Sequence, residues 1–105
     1  MNNSQFFIEI DSERLYLSNL ENPMPTIFED SYNVEVRINV KIRDEEDYKQ
    51  YASFDRFINK EVTVGIKYTN GLEFQSTFTV DKYERRFGNI KDSTVTHVIK
   101  GAKRH

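Results

Sequence analysis

Histidine is the side chain here with the widest catalytic and metal-binding chemistry, and the chain of 105 residues has only two of them. His97 lies inside a predicted strand and His105 is the last residue, so the pair does not have metal-ligand spacing. We interpret His97 as a packed or surface residue of that strand. The absence of cysteine excludes thiolate metal sites, disulfides and a cysteine nucleophile.

The paired carboxylates have structural explanations. The acidic run from Asp44 to Asp47 starts a predicted helix, where carboxylates favour the positive end of the dipole, and Glu29 and Asp30 lie in a predicted loop. The four glycines form no phosphate-binding pattern. We therefore expect no enzymatic activity, no metal, no cofactor and no small-molecule substrate.

Two adjacent arginines bracketed by aromatic residues form the most distinctive local motif, YERRFGN. In a loop, Arg85 and Arg86 could bind phosphate or a partner's carboxylate, with Tyr83 or Phe87 stacking. The alternative is an ordinary connection whose aromatics fold back on the core. Both interpretations stay open, and nucleic-acid binding ranks below them because the net charge is −2.

Composition predicts one folded domain spanning residues 1–105. Hydrophobic residues make up 37% and aromatic residues 13% of the chain, which is typical of a globular protein. The sequence has neither a run of about 18 apolar residues nor a signal-peptide pattern at its start, so we expect a cytoplasmic protein. Residues 1–60 carry seven Lys/Arg against twelve Asp/Glu, and residues 61–105 carry eight against five; this asymmetry could orient copies head to tail.

The segment NVEVRINVKI, residues 33–42, alternates aliphatic and polar residues and predicts a strand buried on one face. Its other face is polar and carries both signs of charge. The candidate residues of this polar sheet face are Glu35, Arg37, Asn39 and Lys41.

Before this strand, two short alternating runs at Phe6–Ile10 and Arg14–Leu17 predict a β-hairpin. The following segment, Ser18–Ser31, contains two prolines and predicts a long loop. Because a small domain has difficulty covering apolar residues on such a loop, we predict that it contacts a partner. The candidate residues are Met24, Ile27 and Phe28.

After the strand, the chain predicts one helix from Glu45 to Ile58, capped by Asp44. Five residues near one side form its predicted packing face: Tyr48, Tyr51, Ala52, Phe54 and Ile58.

The second half predicts a hairpin and one further strand. A three-residue loop, Thr69-Asn70-Gly71, places Tyr68 opposite Leu72. The alternating apolar residues before the loop and those after it then lie on one face of the hairpin, provided that Gly71 is left-handed. Alternation fails over residues 81–92 and returns at Thr94–Lys100. The fold class is mainly β (α+β), an antiparallel sandwich or barrel with one flanking helix, in the order β-β-loop-β-α-β-β-β.

In this layout the chain resembles the tube-forming proteins of phage tails and related contractile injection systems. The resemblance rests on the loop Ser18–Ser31, the helix Glu45–Ile58 and the ending GNIKDSTVTHVIKGA. It implies a structural protein that assembles through its long loop and sheet edges as a tube, completion or baseplate component. The partners would be further copies or other phage proteins, and its location the host cytoplasm and the virion. The polar face of the sheet would line a lumen through which nucleic acid passes.

Two other functions fit the same pattern. A helix between the third and fourth predicted strands is also the order of the oligonucleotide-binding barrel, a monomeric binding module. A small phage-type inhibitor could instead dock on a host protein through its acidic half.

Overall fold

The computed structural model describes residues 4–17, 25–87 and 93–103. These segments form seven strands, one α-helix and one 3₁₀ helix. The strands are β1 (Gln5–Ile10), β2 (Glu13–Tyr16), β3 (Thr26–Glu29), β4 (Asn33–Lys41), β5 (Glu61–Lys67), β6 (Glu73–Phe87) and β7 (Thr94–Lys103); α1 is Glu45–Tyr51 and the 3₁₀ helix is Asp55–Phe57.

All seven strands belong to one antiparallel sheet in the order β2-β1-β5-β6-β7-β4-β3. Within the described residues this sheet is open, with β2 and β3 at its edges. It also curls, because Glu29 of β3 accepts a hydrogen bond from Ser76 of β6 at 3.2 Å although two strands separate them in the sheet. The predicted fold class, mainly β with one helix and sandwich-like, is confirmed.

The inner face of the curled sheet and the segment after α1 share one core. Fully or almost fully buried members include Phe6, Ile8, Val34, Val36, Ile38, Val40, Phe54, Phe57, Val62, Val64, Phe78, Val80 and Ile99. The alternation predicted for β4 is confirmed, since its four inward aliphatics are buried and Arg37, Asn39 and Lys41 on the outer face are exposed. Glu35 on the same outer face is half-buried.

The predicted long loop is wrong over its second half, because Thr26–Glu29 forms β3 and pairs with β4. Pro25 directly precedes the strand, and an edge position tolerates proline at its start. Asp30 then turns the chain, since its Oδ1 accepts hydrogen bonds from the N–H groups of Tyr32 and Asn33 at 2.8 and 2.7 Å. The first half of the predicted loop, residues 18–24, lies outside the described residues.

The predicted helix Glu45–Ile58 is too long. Asp44 caps it as expected, accepting from the Asp47 N–H at 2.9 Å, but α1 ends at Tyr51. The chain then breaks to insert the ring of Phe54 into the core beside Phe57, with 5.0 Å between their centroids. As a result Tyr48 is 62% and Ile58 38% exposed, contrary to their predicted place on the packing face.

The three-residue hairpin loop is confirmed. The Tyr68 N–H donates to the Leu72 carbonyl at 2.9 Å, the Gly71 N–H donates to the Tyr68 carbonyl at 3.0 Å, and Gly71 has a φ of +88°. The apolar face of this hairpin extends beyond the core at its outer end. We call this outer part of the apolar face the hairpin end. It consists of Ile66, Tyr68, Leu72 and Phe74, of which the last three are exposed.

Two further strand predictions need correction. Residues 81–87, predicted to lie in a connection, continue β6 to Phe87, and β7 extends to Lys103 instead of ending at Lys100. The element order of the described segments therefore contains seven strands, with β3 where a loop was expected. No helix of the described residues is long and apolar enough to cross a membrane.

Candidate binding surface

A β-bulge in β6 decides which way the second half of that strand faces. Val80 pairs with Gly101 and Lys82 with Lys100, so Asp81 is an extra residue with no opposite partner. The bulge shifts the alternation by one residue. Tyr83 and Arg85 consequently face inward with Val80, whereas Lys82, Glu84 and Arg86 face outward.

The outward side of β6, β7 and β4, here called the outer face, is rich in cations. Register places Lys82 opposite Lys100 on β7, and Lys100 opposite Glu35 on β4. Seven charged residues occupy the outward ladder positions on this face, five cations and two carboxylates, and the exposed Asp81 of the bulge adds a third carboxylate. The seven residues are Arg37, Lys41, Lys82, Arg86, Lys100, Glu35 and Glu84.

One carboxylate is shared between two of these cations. Glu35 lies 3.0 Å from the Nε of Arg37 and 3.4 Å from the Nζ of Lys100. Although partial burial acts in the opposite direction, these two cations hold the pKa of Glu35 below its ordinary value. Lys82 makes no ion pair with any residue that the structure describes.

The outer face is concave next to β3. A groove of about 690 Å³ runs across β3, β4, β7 and the bulge of β6, and its lining includes Phe28, Glu35, Lys82 and Lys100. The side chain of Phe28 points outward beside Glu35 and is 52% exposed. The guanidinium carbon of Arg37 lies 5.7 Å from its ring centroid. The groove therefore combines two lysines and an accessible aromatic ring with four carboxylates, those of Glu29, Asp30, Glu35 and Asp81.

At the other end of the sheet the outer face is covered and its charge is balanced. The guanidinium of Arg14 lies 3.9 Å from the ring centroid of Phe7, which is fully buried. Arg14 also pairs with Glu73 at 3.0 Å and Glu9 at 3.3 Å. Arg14 is thus neutralised by two carboxylates at this end of the sheet.

The structure separates the predicted partner residues. Ile27 faces inward against the core, whereas Phe28 faces outward into the groove. Arg85 and Arg86 lie on opposite faces of β6, and Arg85 donates to the carbonyl of Ala52 at 2.8 Å. Phe87, at the exposed end of β6, lies 4.8 Å from the guanidinium of Arg85. Met24 lies outside the described residues.

His97 is a structural residue of the core. Its Nε2 lies 2.7 Å from the carbonyl of Tyr51 and its Nδ1 lies 2.6 Å from the hydroxyl of Tyr83. A carbonyl only accepts, so Nε2 carries the proton and Nδ1 accepts from Tyr83, whose oxygen accepts from the Phe54 N–H at 3.0 Å. Burial lowers the pKa of His97 to about 4. Of the two alternatives given for this strand residue, packed or surface-exposed, the structure shows the packed one.

Sequence reasoning missed Lys82 and Lys100, which are the central cations of the groove. A signal was present, because large residues recur at Phe78 and Val80 and then, one position out of phase, at Tyr83, Arg85 and Phe87. Such a phase shift is typical of a bulge within one strand. No group of three or more His, Asp or Glu side chains that could hold a metal occurs in segments 4–17, 25–87 and 93–103.

Comparison with known proteins assigns no family to this chain. No protein-family model matches the chain, and no curated protein matches it.

Proposed function

We propose that the chain is a non-enzymatic structural subunit of a phage tail or related injection apparatus, and that it self-assembles through the open edge of β3. The observation that carries this proposal is that, among the described residues, no strand pairs with the outer edge of β3, which also carries an exposed aromatic residue, Phe28. Such an edge is a template for pairing with a strand of another chain.

The backbone of β3 is oriented for this role. The Asp30 N–H donates to the Asn33 carbonyl at 3.0 Å, and hydrogen-bonded pairs alternate along an antiparallel ladder. The N–H and C=O groups of Ile27 and Glu29 therefore point away from β4, toward the open edge. The opposite edge, β2, presents the charged pair Glu13 and Arg14, a common protection against edge pairing.

The hairpin end offers a second assembly surface. Leu72 is 67% exposed, and Tyr68 and Phe74 on the same face are 44% and 41% exposed. Contiguous exposed apolar residues of this kind mark contacts with other chains. A ring or tube needs two different surfaces on each subunit, because head-to-tail contacts join unlike patches.

The oligomeric state tests this proposal. Light scattering across a range of concentrations should show the mass of the intact protein rising above that of a monomer, with rings or tubes visible by electron microscopy. Phe28→Lys introduces a charge at the open edge and should leave a folded monomer, as judged by circular dichroism. Tyr48→Lys replaces another exposed aromatic residue, on α1, and should assemble like the intact protein.

A monomeric intact protein at the highest soluble concentration would overturn the proposal. The alternative function, a monomeric binding module or host-protein inhibitor, would then be preferred. Equal loss of assembly in Phe28→Lys and Tyr48→Lys would show that β3 is not the assembly edge.

A further inference from the structure

The edge of β3 that faces away from β4 limits which strand can pair with it. We infer that this strand is β3 of a second copy of the chain, antiparallel, with the two-fold axis at Phe28. The inference rests on the proposed function, because it names the partner at that same assembly edge. Among residues 4–17, 25–87 and 93–103 the sheet has two outer strands, β2 and β3, and three arguments favour β3 over β2.

The first argument is the match of backbone groups. Because the Asp30 N–H donates to the Asn33 carbonyl, the groups directed at the open edge belong to Ile27 and Glu29, which flank Phe28 symmetrically. In an antiparallel copy with its axis at Phe28, Ile27 lies opposite the partner's Glu29. Each such pair exchanges both of its N–H···O=C hydrogen bonds, so the edge is satisfied over its whole length.

Other registers of the same pairing are less favourable. An axis at Ile27 brings Glu29 opposite Pro25, which has no N–H to donate. An axis at Glu29 places the two Glu29 carboxylates directly opposite each other, and like charges there destabilise a sheet. With the axis at Phe28, Glu29 lies opposite Ile27 and keeps its ion pair with Lys103 of its own chain.

The second argument is the face that each edge presents. The Leu17 N–H donates to the Phe6 carbonyl at 3.1 Å, so the edge-directed residues of β2 are Arg14 and Tyr16. Their side chains lie on the outer face, whereas that of Ile27 lies on the inner face. Directly paired residues share a face, so pairing of β3 with β2 would continue the inner face of one copy as the outer face of the next. Pairing of β3 with β3 keeps both inner faces on the same side.

The third argument is the exposed ring of Phe28. Its backbone groups point toward β4, so the two Phe28 residues face each other as a non-hydrogen-bonded pair, with about 4.5 Å between their Cα atoms. In the single chain this ring is 52% exposed on the outer face, and aromatic pairs across strands stabilise a sheet. The contact joins identical patches and closes as a dimer. The hairpin end then remains to join dimers into rings or tubes.

Disulfide crosslinking tests this register, because the chain contains no cysteine of its own and Cα atoms more than about 7 Å apart cannot be bridged. On oxidation Phe28→Cys should form a band of twice the monomer mass in non-reducing electrophoresis, and dithiothreitol should remove it. The matched control is Thr26→Cys, an exposed position on the same face of β3. Its two copies would lie about 13 Å apart along the strands and should give no such band.

A second pair of variants retains Phe28. Ile27→Cys and Glu29→Cys should each give no dimer band alone, because like residues lie two positions out of register and about 8 Å apart. An equimolar mixture, combined under reducing conditions and then oxidised, should give the band, since Ile27 lies opposite the partner's Glu29. A band from the mixture supports the register even where Phe28→Cys alone gives none.

Three results would overturn the inference: no band from either Phe28→Cys or the mixture, a band from Thr26→Cys as strong as that from Phe28→Cys, or a band from Ile27→Cys or Glu29→Cys alone as strong as that from their mixture. Light scattering of the intact protein distinguishes this failure from failure of the assembly proposal. If the intact protein assembles and the expected bands are missing, the pairing of β3 with β3 is wrong and self-assembly stands. A monomeric intact protein overturns both.

Discussion

Gly71 is the residue on which the β5–β6 hairpin loop depends. Its φ of +88° lies in the left-handed region, although a Cβ there would meet no atom within 4 Å. Only backbone strain, and no clash, therefore opposes substitution.

We predict that Gly71→Ala lowers the free energy of unfolding by about 1 kcal/mol. Gly71→Asn should cost less, because asparagine tolerates the left-handed region better than alanine. Urea unfolding of both variants measures the difference, and an Ala variant as stable as the intact protein would contradict the left-handed conformation.

His97 makes the stability of the core depend on pH. In the folded protein burial is the main cause that lowers its pKa to about 4, and the nearby charges of Arg85 and Arg56 act in the same direction. The unfolded chain has an ordinary histidine pKa of about 6.5. Between these values the unfolded state binds the proton preferentially, so stability falls as the pH decreases from 6.5 to 4.

We predict a loss of about 2 kcal/mol in the free energy of unfolding between pH 7 and pH 5 from this histidine. Urea unfolding at the two pH values measures it. His97→Gln retains an N–H donor and an acceptor but does not titrate, so its stability should change much less over the same range. An equal change in both proteins would assign the pH dependence to other groups.

At the scale of elements, β4 separates the core from the outer face. Val36 and Ile38 are buried, and Asn39 between Ile38 and Val40 is exposed. We predict that Val36→Asp costs at least about 3 kcal/mol, because it places an unpaired charge in the core. Asn39→Lys should change stability by less than about 0.5 kcal/mol. Thermal unfolding compares them, and similar losses would mean that β4 is not buried on one face only.

The bulge in β6 predicts an asymmetry between two deletions. Removing Asp81 leaves Val80 facing inward, Lys82 outward and Tyr83 inward, because the bulge residue is an insertion in an otherwise regular ladder. Removing Thr79 instead turns Val80 outward and brings Asp81 to the core.

We therefore predict that the Asp81 deletion folds with a loss below about 2 kcal/mol, whereas the Thr79 deletion loses at least about 3 kcal/mol. Chemical unfolding followed by circular dichroism distinguishes the two. Equal losses would show that the alternation of β6 does not depend on the bulge.

At the scale of the whole molecule, β3 joins one edge of the sheet to its middle. Glu29 contacts Ser76 of β6 and forms an ion pair with Lys103 of β7, and Ile27 packs against the core. The sequence alone predicts that deletion of residues 23–28 leaves a folded monomer, because the segment would be a surface loop. The structure changes that expectation, since the deletion removes most of a strand.

We predict that deleting residues 23–28 lowers the midpoint of thermal unfolding by several degrees or more, because core packing by Ile27 and the β3–β4 pairing are lost. Phe28→Lys should leave the midpoint nearly unchanged. If the deletion has no effect on the midpoint, β3 contributes nothing to the core, and assembly becomes its main role.

Several local features could be predicted from the sequence because they depend on residues close together in the chain. Alternation defined the buried face of β4, Asp44 and the acidic residues after it indicated the start of α1, and Gly71 selected the loop length of its hairpin. The physical causes are the side-chain period of a strand, the geometry of a helix cap and the allowed φ of glycine. Each of them acts within a few residues.

Only the tertiary structure decided the features that depend on distant residues. β3 forms because it can pair with the edge of β4. α1 ends at Tyr51 because the following residues turn to place Phe54 in the core. The bulge at Asp81 is where the pairing of β6 with β7 changes register. The groove brings together charged residues from β3, β4, β6 and β7, and no local pattern states which residues lie opposite one another. Strand order and register arise from contacts between segments far apart in sequence, so the composition of a sheet face becomes known only when the sheet is assembled.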